Sequence, residues 1–303
     1  MGKITPHLWF EKEAEEAAKF YTSIFSDSRI TNITTIHEVP TPTGDCDIVS
    51  FELSEQPFMA INAGPLFKFN PSVSFIVHFD PSRDKHARKN LDVLWEKLAQ
   101  GGTALMPLDQ YPFSAHYGWI QDKYGLSWQL ILSNPEGEER PAIVPSLMFV
   151  GAAAGRAEEA VDFYLSVFRN SRRGIVARYG KDQEPDKEGT IMFSDFELDG
   201  QWLAAMDSAW EHEFAFNEAI SLLIPCKTQE EVDYYWEKLS DDPDAEQCGW
   251  LKDKYGLSWQ VWPTAMGEMM AKGTPEQIAR VTKAFLPMKK FDIATLQWAY
   301  RGE

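Results

Sequence analysis

Residues 118–130 read GWIQDKYGLSWQL, and residues 249–261 read GWLKDKYGLSWQV. Ten of these thirteen positions are identical, and the three differences are Ile/Leu, Gln/Lys and Leu/Val. A match of this length within one chain indicates an internal repeat, in which each copy is one structural unit.

Further matches precede this motif in the same order in both halves of the chain. They are EEA at 15–17 and 158–160, FY at 20–21 and 163–164, FEL at 51–53 and 196–198, and WEKL at 95–98 and 236–239. The order predicts a tandem duplication with four segments: a first unit at 1–134, a polar linker at 135–143, a second unit at 144–262, and an extension at 263–303. The extension is predicted to be helical because TPEQ at 274–277 is typical of a helix start with proline at the first helical position.

Each unit contains two successive motifs of one strand, one helix and further strands. In the first unit, apolar runs predict strands at 4–10, 46–53, 57–62, 73–79, 103–106, 118–122 and 127–132, and helical spacing predicts helices at 13–25 and around 91–98. The order predicts β-α-β-β-β twice per unit, which is an α+β fold. Such a motif curls a small mixed sheet under its helix. Two motifs side by side are then expected to form a half-open barrel with a hollow for a small ligand.

Charge and composition exclude several classes of partner. The chain carries 29 basic and 46 acidic residues, a formal net charge of −17. An acidic surface repels nucleic acid and anionic lipid headgroups, so neither nucleic acid nor membrane is an expected partner. The first residues lack a signal-peptide pattern, and the three scattered cysteines form no zinc spacing, which predicts a cytoplasmic protein with unpaired thiols.

The paired β-α-β-β-β order resembles the vicinal-oxygen-chelate superfamily, which includes glyoxalase I, bleomycin-resistance proteins and extradiol dioxygenases. PHLWFEKEAEEAAKFY at 6–21 and the two GWxxDKYGLSWQ motifs resemble its PhnB-like branch more closely. That branch often carries the label 3-demethylubiquinone-9 3-methyltransferase. The resemblance implies two tandem barrels with small-molecule pockets.

The resemblance also implies four positions at which superfamily enzymes hold a divalent metal ion. In this sequence they fall near Pro6 or His7, near Ala60 and Ala205, near Ser74 and Ser221, and on Gln129 and Gln260. Alanine supplies no metal ligand, and serine and neutral glutamine are poor ones. We therefore expect no metal centre and no cofactor. Methyl transfer is also disfavoured, because no glycine-rich turn follows a strand as in doubly wound domains that bind S-adenosylmethionine.

Alternation along the strands indicates which side chains face the hollows. If Gln129 faces the first hollow, the same logic adds Asn62, Ser74 and His78 there. The corresponding residues of the second hollow are Asp207, Ser221, Gln260 and Trp262. Trp9, Trp119 and the aromatic segment with Tyr111 and Phe113 complete the predicted ligand-binding set. Gln129 and Gln260 could equally serve only to satisfy backbone groups inside a barrel.

Three histidines are weak candidates for acid-base chemistry, since unperturbed imidazole titrates near neutrality. They are His7 at a metal-ligand position, His78 on a predicted strand, and His116 before the repeated motif. The aromatic segment near His116 has no counterpart in the second unit, which favours the first unit as the functional one.

Three hypotheses follow from the sequence. The first is metal-independent binding of a small, partly apolar molecule, for sequestration or modest acid-base chemistry. The second is a metal-dependent enzyme like glyoxalase or a dioxygenase, and the third is a non-catalytic assembly module. A tandem chain could pair its two units internally and remain a monomer, or could form a homodimer.

Overall fold

A computed structural model describes residues 4–42, 44–134 and 137–303. Within these ranges the chain forms fifteen strands and seven α-helices. The first motif comprises β1 (Thr5–Phe10), α1 (Ala14–Ile24), β2 (Arg29–His37), β3 (Asp45–Leu53) and β4 (Gln56–Asn62). The second comprises β5 (Val73–Phe79), α2 (Ala87–Leu98), β6 (Thr103–Tyr111), β7 (Ser114–Gln121) and β8 (Ser127–Leu132).

The second unit follows the same order with one change, and the extension adds three helices. The third motif comprises β9 (Ile143–Phe149), α3 (Ala157–Val167), β10 (Ser171–Arg178), β11 (Ile191–Leu198) and β12 (Gln201–Asp207). The fourth comprises β13 (Ile220–Cys226), α4 (Gln229–Leu239), β14 (Trp250–Lys252) and β15 (Ser258–Pro263). A 3-10 turn at 243–245 lies where the second motif has β6. The extension forms α5 (Thr264–Lys272), α6 (Pro275–Phe285) and α7 (Ile293–Arg301).

The strands form two mixed sheets, which confirms the predicted α+β class. The seven-stranded sheet has the order β14-β15-β13-β1-β4-β3-β2, and the eight-stranded sheet has the order β10-β11-β12-β9-β5-β8-β7-β6. Each sheet therefore contains one motif from each unit.

This pairing of motifs differs from the expectation that the two motifs of one unit share a hollow. Strand β1 pairs antiparallel with β13, with His7 opposite Ser221, and β5 pairs antiparallel with β9, with Ser74 opposite Ser146. Within its own motif, the first strand is paired along one edge only. Its other edge pairs with the first strand of a motif from the other unit. The two units are thus intertwined as an internal pseudo-dimer.

One continuous core joins the helices α1–α4 to one face of both sheets. Trp128 of the eight-stranded sheet packs on Tyr21 of α1, with ring centroids 5.5 Å apart. Phe58 and Phe75 bring the two sheets into direct contact, with centroids 5.1 Å apart. The opposite face of each sheet is not covered by these four helices, and we call it the cup of that sheet.

The repeated motif has a structural role at the centre of this core. Asp122 accepts hydrogen bonds from the Tyr21 hydroxyl at 2.8 Å and from Trp128 Nε1 at 2.9 Å. Its carboxylate also accepts the backbone N–H groups of Tyr124 and Leu126. Burial raises the pKa of Asp122 even though these hydrogen bonds favour the charged form. The equivalent contacts in the second unit join Asp253 to Tyr164 at 2.7 Å and Trp259 at 2.8 Å.

The extension packs on the seven-stranded sheet of its own chain. Helix α6 begins with the predicted cap, in which the Thr274 hydroxyl and the Gln277 side chain bond each other's backbone N–H groups. Phe285 and Phe291 join a separate apolar cluster with Ile36 of β2. The extension therefore packs against part of the face of this sheet that is turned away from α1–α4. None of the helices described here is long and apolar enough to cross a membrane.

Candidate functional site

A cavity of about 420 Å³ lies against the face of the seven-stranded sheet that is turned away from α1–α4. We call this face the open cup and define it by His7, Met59, Trp250 and Trp262. Strands of both units and the extension supply its wall. The other apolar lining residues include Trp9, Ile36, Ile48, Ile61, Met266, Phe285 and Phe291.

His7 lies on the floor of the open cup and is 2% exposed. Its ring meets Trp250 edge-on, with centroids 5.4 Å apart. Burial lowers the pKa of His7 to about 3, because the apolar surroundings disfavour the imidazolium form. Within the described chain its imidazole makes no hydrogen bond, so at neutral pH it is an uncharged group that can donate or accept one.

Polar atoms next to His7 are buried without partners among the described residues. They are Trp250 Nε1, Ser258 Oγ and Gln260 Oε1. Trp250 and Gln260 are cross-strand partners on β14 and β15, and Gln260 Nε2 donates to Ser221 Oγ at 2.8 Å. Ser258 and Gln260 are not among the residues that line the cavity, so these atoms are buried behind its wall.

The equivalent atoms of the eight-stranded sheet are paired. We call its corresponding face the closed cup and define it by Ile76, Gln129, Val144 and Trp202. Gln129 Oε1 accepts from the Tyr117 hydroxyl at 2.7 Å, and Gln129 Nε2 donates to Ser74 Oγ at 2.8 Å. The equivalents of Trp250 and Ser258 also bond each other, as Trp119 Nε1 to Ser127 Oγ at 2.7 Å.

Side chains fill the closed cup. Ile76, Val144 and Trp202 form a buried cluster, and the guanidinium of Arg140 lies 3.9 Å from the centre of the Trp202 ring. Arg140 also forms an ion pair with buried Asp195 at 2.7 Å. Arg140 belongs to the predicted linker 135–143, of which Pro135 and Glu136 lie outside the described residues. Arg140 of the linker therefore occupies the cup to which the sequence analysis assigned most of the predicted site residues.

His78 lies in this closed cup and contacts Ser133 at 3.2 Å. Burial and the positive charge of Arg140 lower its pKa to about 4. His116, which precedes the repeated motif, lies on β7 and faces α2, where its Nε2 is 2.6 Å from Asp92. Neither histidine reaches the open cup.

Two predicted pocket residues face the helices instead of a hollow. Asn62 Oδ1 accepts the backbone N–H of Ala14 at 2.8 Å, and Asp207 Oδ1 accepts that of Ala157 at 3.0 Å. Each side chain thus binds the first residue of a helix whose own N-cap residue makes no side-chain bond. Burial raises the pKa of Asp207.

The remaining predicted residues divide between the two cups. His7, Trp9 and Trp262 line the open cup, whereas Ser221 and Gln260 are fully buried and do not line the cavity. The closed cup receives Ser74, His78, Trp119 and Gln129. At the β6–β7 hairpin, Tyr111 and Phe113 stack on each other, and both rings pack edge-on against Tyr117. The sequence did not identify Met59, Ile61 and the aromatic residues of the extension as pocket walls. On β1, Leu8 and Phe10 lie in the core and His7 and Trp9 in the cavity wall, so the alternation of this strand was a signal for one strand of the wall only.

The four metal positions implied by the superfamily can now be placed by strand register. His7 is paired with Met59 and Ser221, so Met59 takes the position that the sequence assigned near Ala60. Ala204, next to Ser146, replaces Ala205 in the same way in the closed cup. Neither set of positions fits a divalent metal ion, because among all of them only His7 is a usual metal ligand. Over the described ranges, no three histidine, cysteine or acidic residues are grouped to hold an ion.

Comparison with known proteins agrees with the two-unit fold. A point mutant of glyoxalase I from Zea mays is 11% identical over 88% of this chain and 94% of that chain, with a TM-score of 0.52. A PhnB protein from Bacillus cereus, described as a 3-demethylubiquinone-9 3-methyltransferase, is 41% identical over 44% of this chain and 100% of that chain, with a TM-score of 0.39. A Staphylococcus aureus protein is 32% identical over 44% of this chain and 98% of that chain, with a TM-score of 0.18.

None of the curated proteins matches the chain. The family described as 3-demethylubiquinone-9 3-methyltransferase matches it twice, over residues 2–131 and 141–262. Both matches contain the GWxxDKYGLSWQ motif from which the duplication was inferred. The chain therefore belongs to this family as a tandem member with the glyoxalase fold.

Proposed function

We propose that the protein binds a small, mainly apolar molecule in the open cup without a metal ion. The observation that carries this proposal is the cavity of about 420 Å³ in one cup, beside an equivalent cup that side chains fill. Ligand pockets in proteins are typically concave and mostly apolar, and contain a few polar groups. The open cup has this character.

Binding is favoured over acid-base or nucleophilic chemistry by the protonation states of the wall. With a pKa of about 3, His7 is a weak base at neutral pH. Burial also raises the pKa of Cys46 to about 11 and raises that of Cys248, so both thiols in the wall stay protonated. His7 and the two thiols thus give this part of the cavity wall an uncharged surface for binding.

The proposal is tested by calorimetry with metal-free protein and uncharged aromatic compounds, at neutral pH and with a chelator present. Met59→Trp places a larger side chain in the cavity and should abolish binding. Met192→Trp is the matched control, because Met192 lies on β11 and is 40% exposed. Equal binding by wild type and Met59→Trp would refute the open cup as the site.

Methyl transfer is a second candidate because the family description names it. Titration with S-adenosylmethionine tests it directly. Saturable binding that Met59→Trp removes, followed by transfer of the methyl group to an acceptor, would replace the proposal. A metal-dependent reaction would instead require that Zn²⁺, Mn²⁺ or Fe²⁺ bind stoichiometrically and that His7→Ala abolish this binding.

A further inference from the structure

We propose that the ligand of the open cup carries an uncharged hydroxyl group on its apolar body, and that this hydroxyl group hydrogen-bonds to the imidazole of His7. This inference rests on the proposed function and names the class of molecule, an apolar alcohol or phenol, that the same site would take. It is carried by an unpaired imidazole that lines the cavity.

His7 is a polar side chain of the cavity wall that is available to a ligand. It lines the cavity and is otherwise buried, at 2% exposure. Its ring nitrogens make no hydrogen bond within the described chain, and neither is among the unpaired polar atoms there that are sealed from solvent. The polar edge of the ring is therefore open to the cavity, where a bound molecule can reach it.

Other polar groups of the same wall are bonded within the chain. Trp9 Nε1 donates to the Gly64 carbonyl at 2.8 Å. Gln247 Nε2 donates to the Leu286 carbonyl at 2.6 Å. A ligand that used either group would have to break an existing hydrogen bond, whereas a hydrogen bond to His7 replaces none.

The other copy of the repeat has a short side chain at this position. PHLWF at 6–10 corresponds to PSLMF at 145–149, so Ser146 is the equivalent of His7. Ser146 lies opposite Ser74 in the closed cup and is 1% exposed. The imidazole thus occurs in the cup that has a cavity, and the cup that side chains fill has serine in its place.

The protonation state of His7 specifies the group that it would bind. Its pKa of about 3 leaves the ring uncharged at neutral pH, with one N–H donor and one nitrogen acceptor. A hydroxyl group both donates and accepts, so it can pair with either ring nitrogen, whichever tautomer is present. An ether or ketone oxygen can only accept, and it can pair with the N–H side alone.

Charge around the cavity disfavours an ionised ligand. In the part of the chain that the structure describes, no lysine or arginine lines the cavity. Glu218, which lines it, is paired with Lys252 at 2.8 Å, and Asp244 is exposed to water. A carboxylate or ammonium group beside His7 would leave water without meeting an opposite charge, which is unfavourable.

Calorimetry with four probes of similar size tests the inference at neutral pH. The probes are 2-naphthol with a hydroxyl group, 2-methoxynaphthalene with an acceptor alone, naphthalene with no polar group, and 2-naphthoate as an anion. We expect 2-naphthol to bind at least about fivefold more tightly than naphthalene, because a hydrogen bond to an otherwise unpaired group contributes about this factor. The methyl ether should bind less tightly than 2-naphthol, and the anion should bind most weakly.

Variants then locate the hydrogen bond. His7→Phe removes both ring nitrogens and keeps an aromatic ring, so the preference for 2-naphthol over naphthalene should fall below about twofold. His78→Phe in the closed cup is the matched control and should leave the preference unchanged. NMR of the imidazole nitrogens in the wild-type protein covers the case in which His7→Phe does not fold. Saturation with 2-naphthol should shift the His7 nitrogen signals, and saturation with naphthalene should shift them much less.

The outcomes separate this inference from the proposed function. Equal affinity for 2-naphthol and naphthalene, or for 2-naphthol and its methyl ether, would overturn the hydroxyl class and leave apolar binding in the open cup standing. Tightest binding of the carboxylate would overturn an uncharged ligand. A preference that persists in His7→Phe would overturn His7 as the partner. Failure of all four probes to bind would overturn both the inference and the proposed function.

Discussion

Arg140 joins Asp195 through a 2.7 Å ion pair inside the closed cup, where the two side chains are 7% and 6% exposed. The guanidinium also stacks on Trp202. The linker between the two units thus supplies the charged group that fills one of the two cups.

Replacing Arg140 with methionine should therefore destabilise the fold. The change leaves the Asp195 carboxylate buried without its cation, which typically costs about 3–5 kcal/mol. Urea unfolding measures the loss. The double variant Arg140→Met, Asp195→Leu removes both charges and should recover at least half of it, and a loss below about 1 kcal/mol in the single variant would contradict a structural role.

The protein should lose stability as the pH falls below about 6.5. The pKa of His7 is about 3 in the folded chain against about 6.5 when unfolded, so between these values the unfolded state binds the proton first. The contribution of His7 is fully present above pH 6.5 and decreases by about 1.4 kcal/mol per pH unit towards pH 3. His7→Gln should reduce the slope of unfolding free energy against pH by about this amount.

His78 offers an independent check of the same effect. Its folded pKa is about 4, so His78→Gln should flatten the pH dependence only between about pH 6.5 and 4. Unfolding in urea at half-unit intervals from pH 4 to 8 resolves both variants. An unchanged slope in both would contradict the neutral, buried state of these imidazoles.

The aspartate of the repeated motif should be equally important in both units. Asp122→Ala and Asp253→Ala each remove the acceptor of four hydrogen bonds and should destabilise the fold by at least about 3 kcal/mol. Tyr21→Phe and Tyr164→Phe remove one hydroxyl each and should cost about 1 kcal/mol. Thermal and urea unfolding measure these differences, and a tolerated Asp122→Ala would assign the motif another role.

The extension should contribute both stability and a wall of the cavity. Phe291 is 1% exposed and packs edge-on against Trp262, with centroids 5.8 Å apart. Phe291→Ala should cost about 3–4 kcal/mol and weaken binding in the open cup. Trp298→Ala on α7 is the control, because Trp298 is 55% exposed and its loss should change stability by less than about 0.5 kcal/mol.

The repeat and the apolar periodicity were sufficient to predict the class of fold, the helices and most strands. Strand β2 was missed because it is largely exposed and lacks a continuous apolar run. The direction in which the side chains of β4 point was also predicted wrongly, because Asn62 was expected in a hollow and lies on the helix side. Ala60 is small because it lies in the core on the helix side, and Asn62 is polar because it caps α1 from a distant strand, which local sequence does not reveal.

Two features of the site depend on long-range structure. The motifs of both units present equivalent strand edges, so sequence alone does not distinguish pairing within a unit from pairing between units. For this reason His7 could not be grouped with Gln260, nor Ser74 with Ser146. The part of the cavity wall that Phe285 and Phe291 supply likewise depends on how the extension folds back.

The exchange of motifs between the units has a consequence for evolution. In a symmetric pair of separate single-unit chains, one mutation alters both hollows at once, so neither can change while the other is preserved. Here β1 pairs with β13 and β5 with β9 within one polypeptide, and each hollow is encoded by its own codons. Fusion of the two copies thus lets the side chains of one hollow change while those of the other are kept.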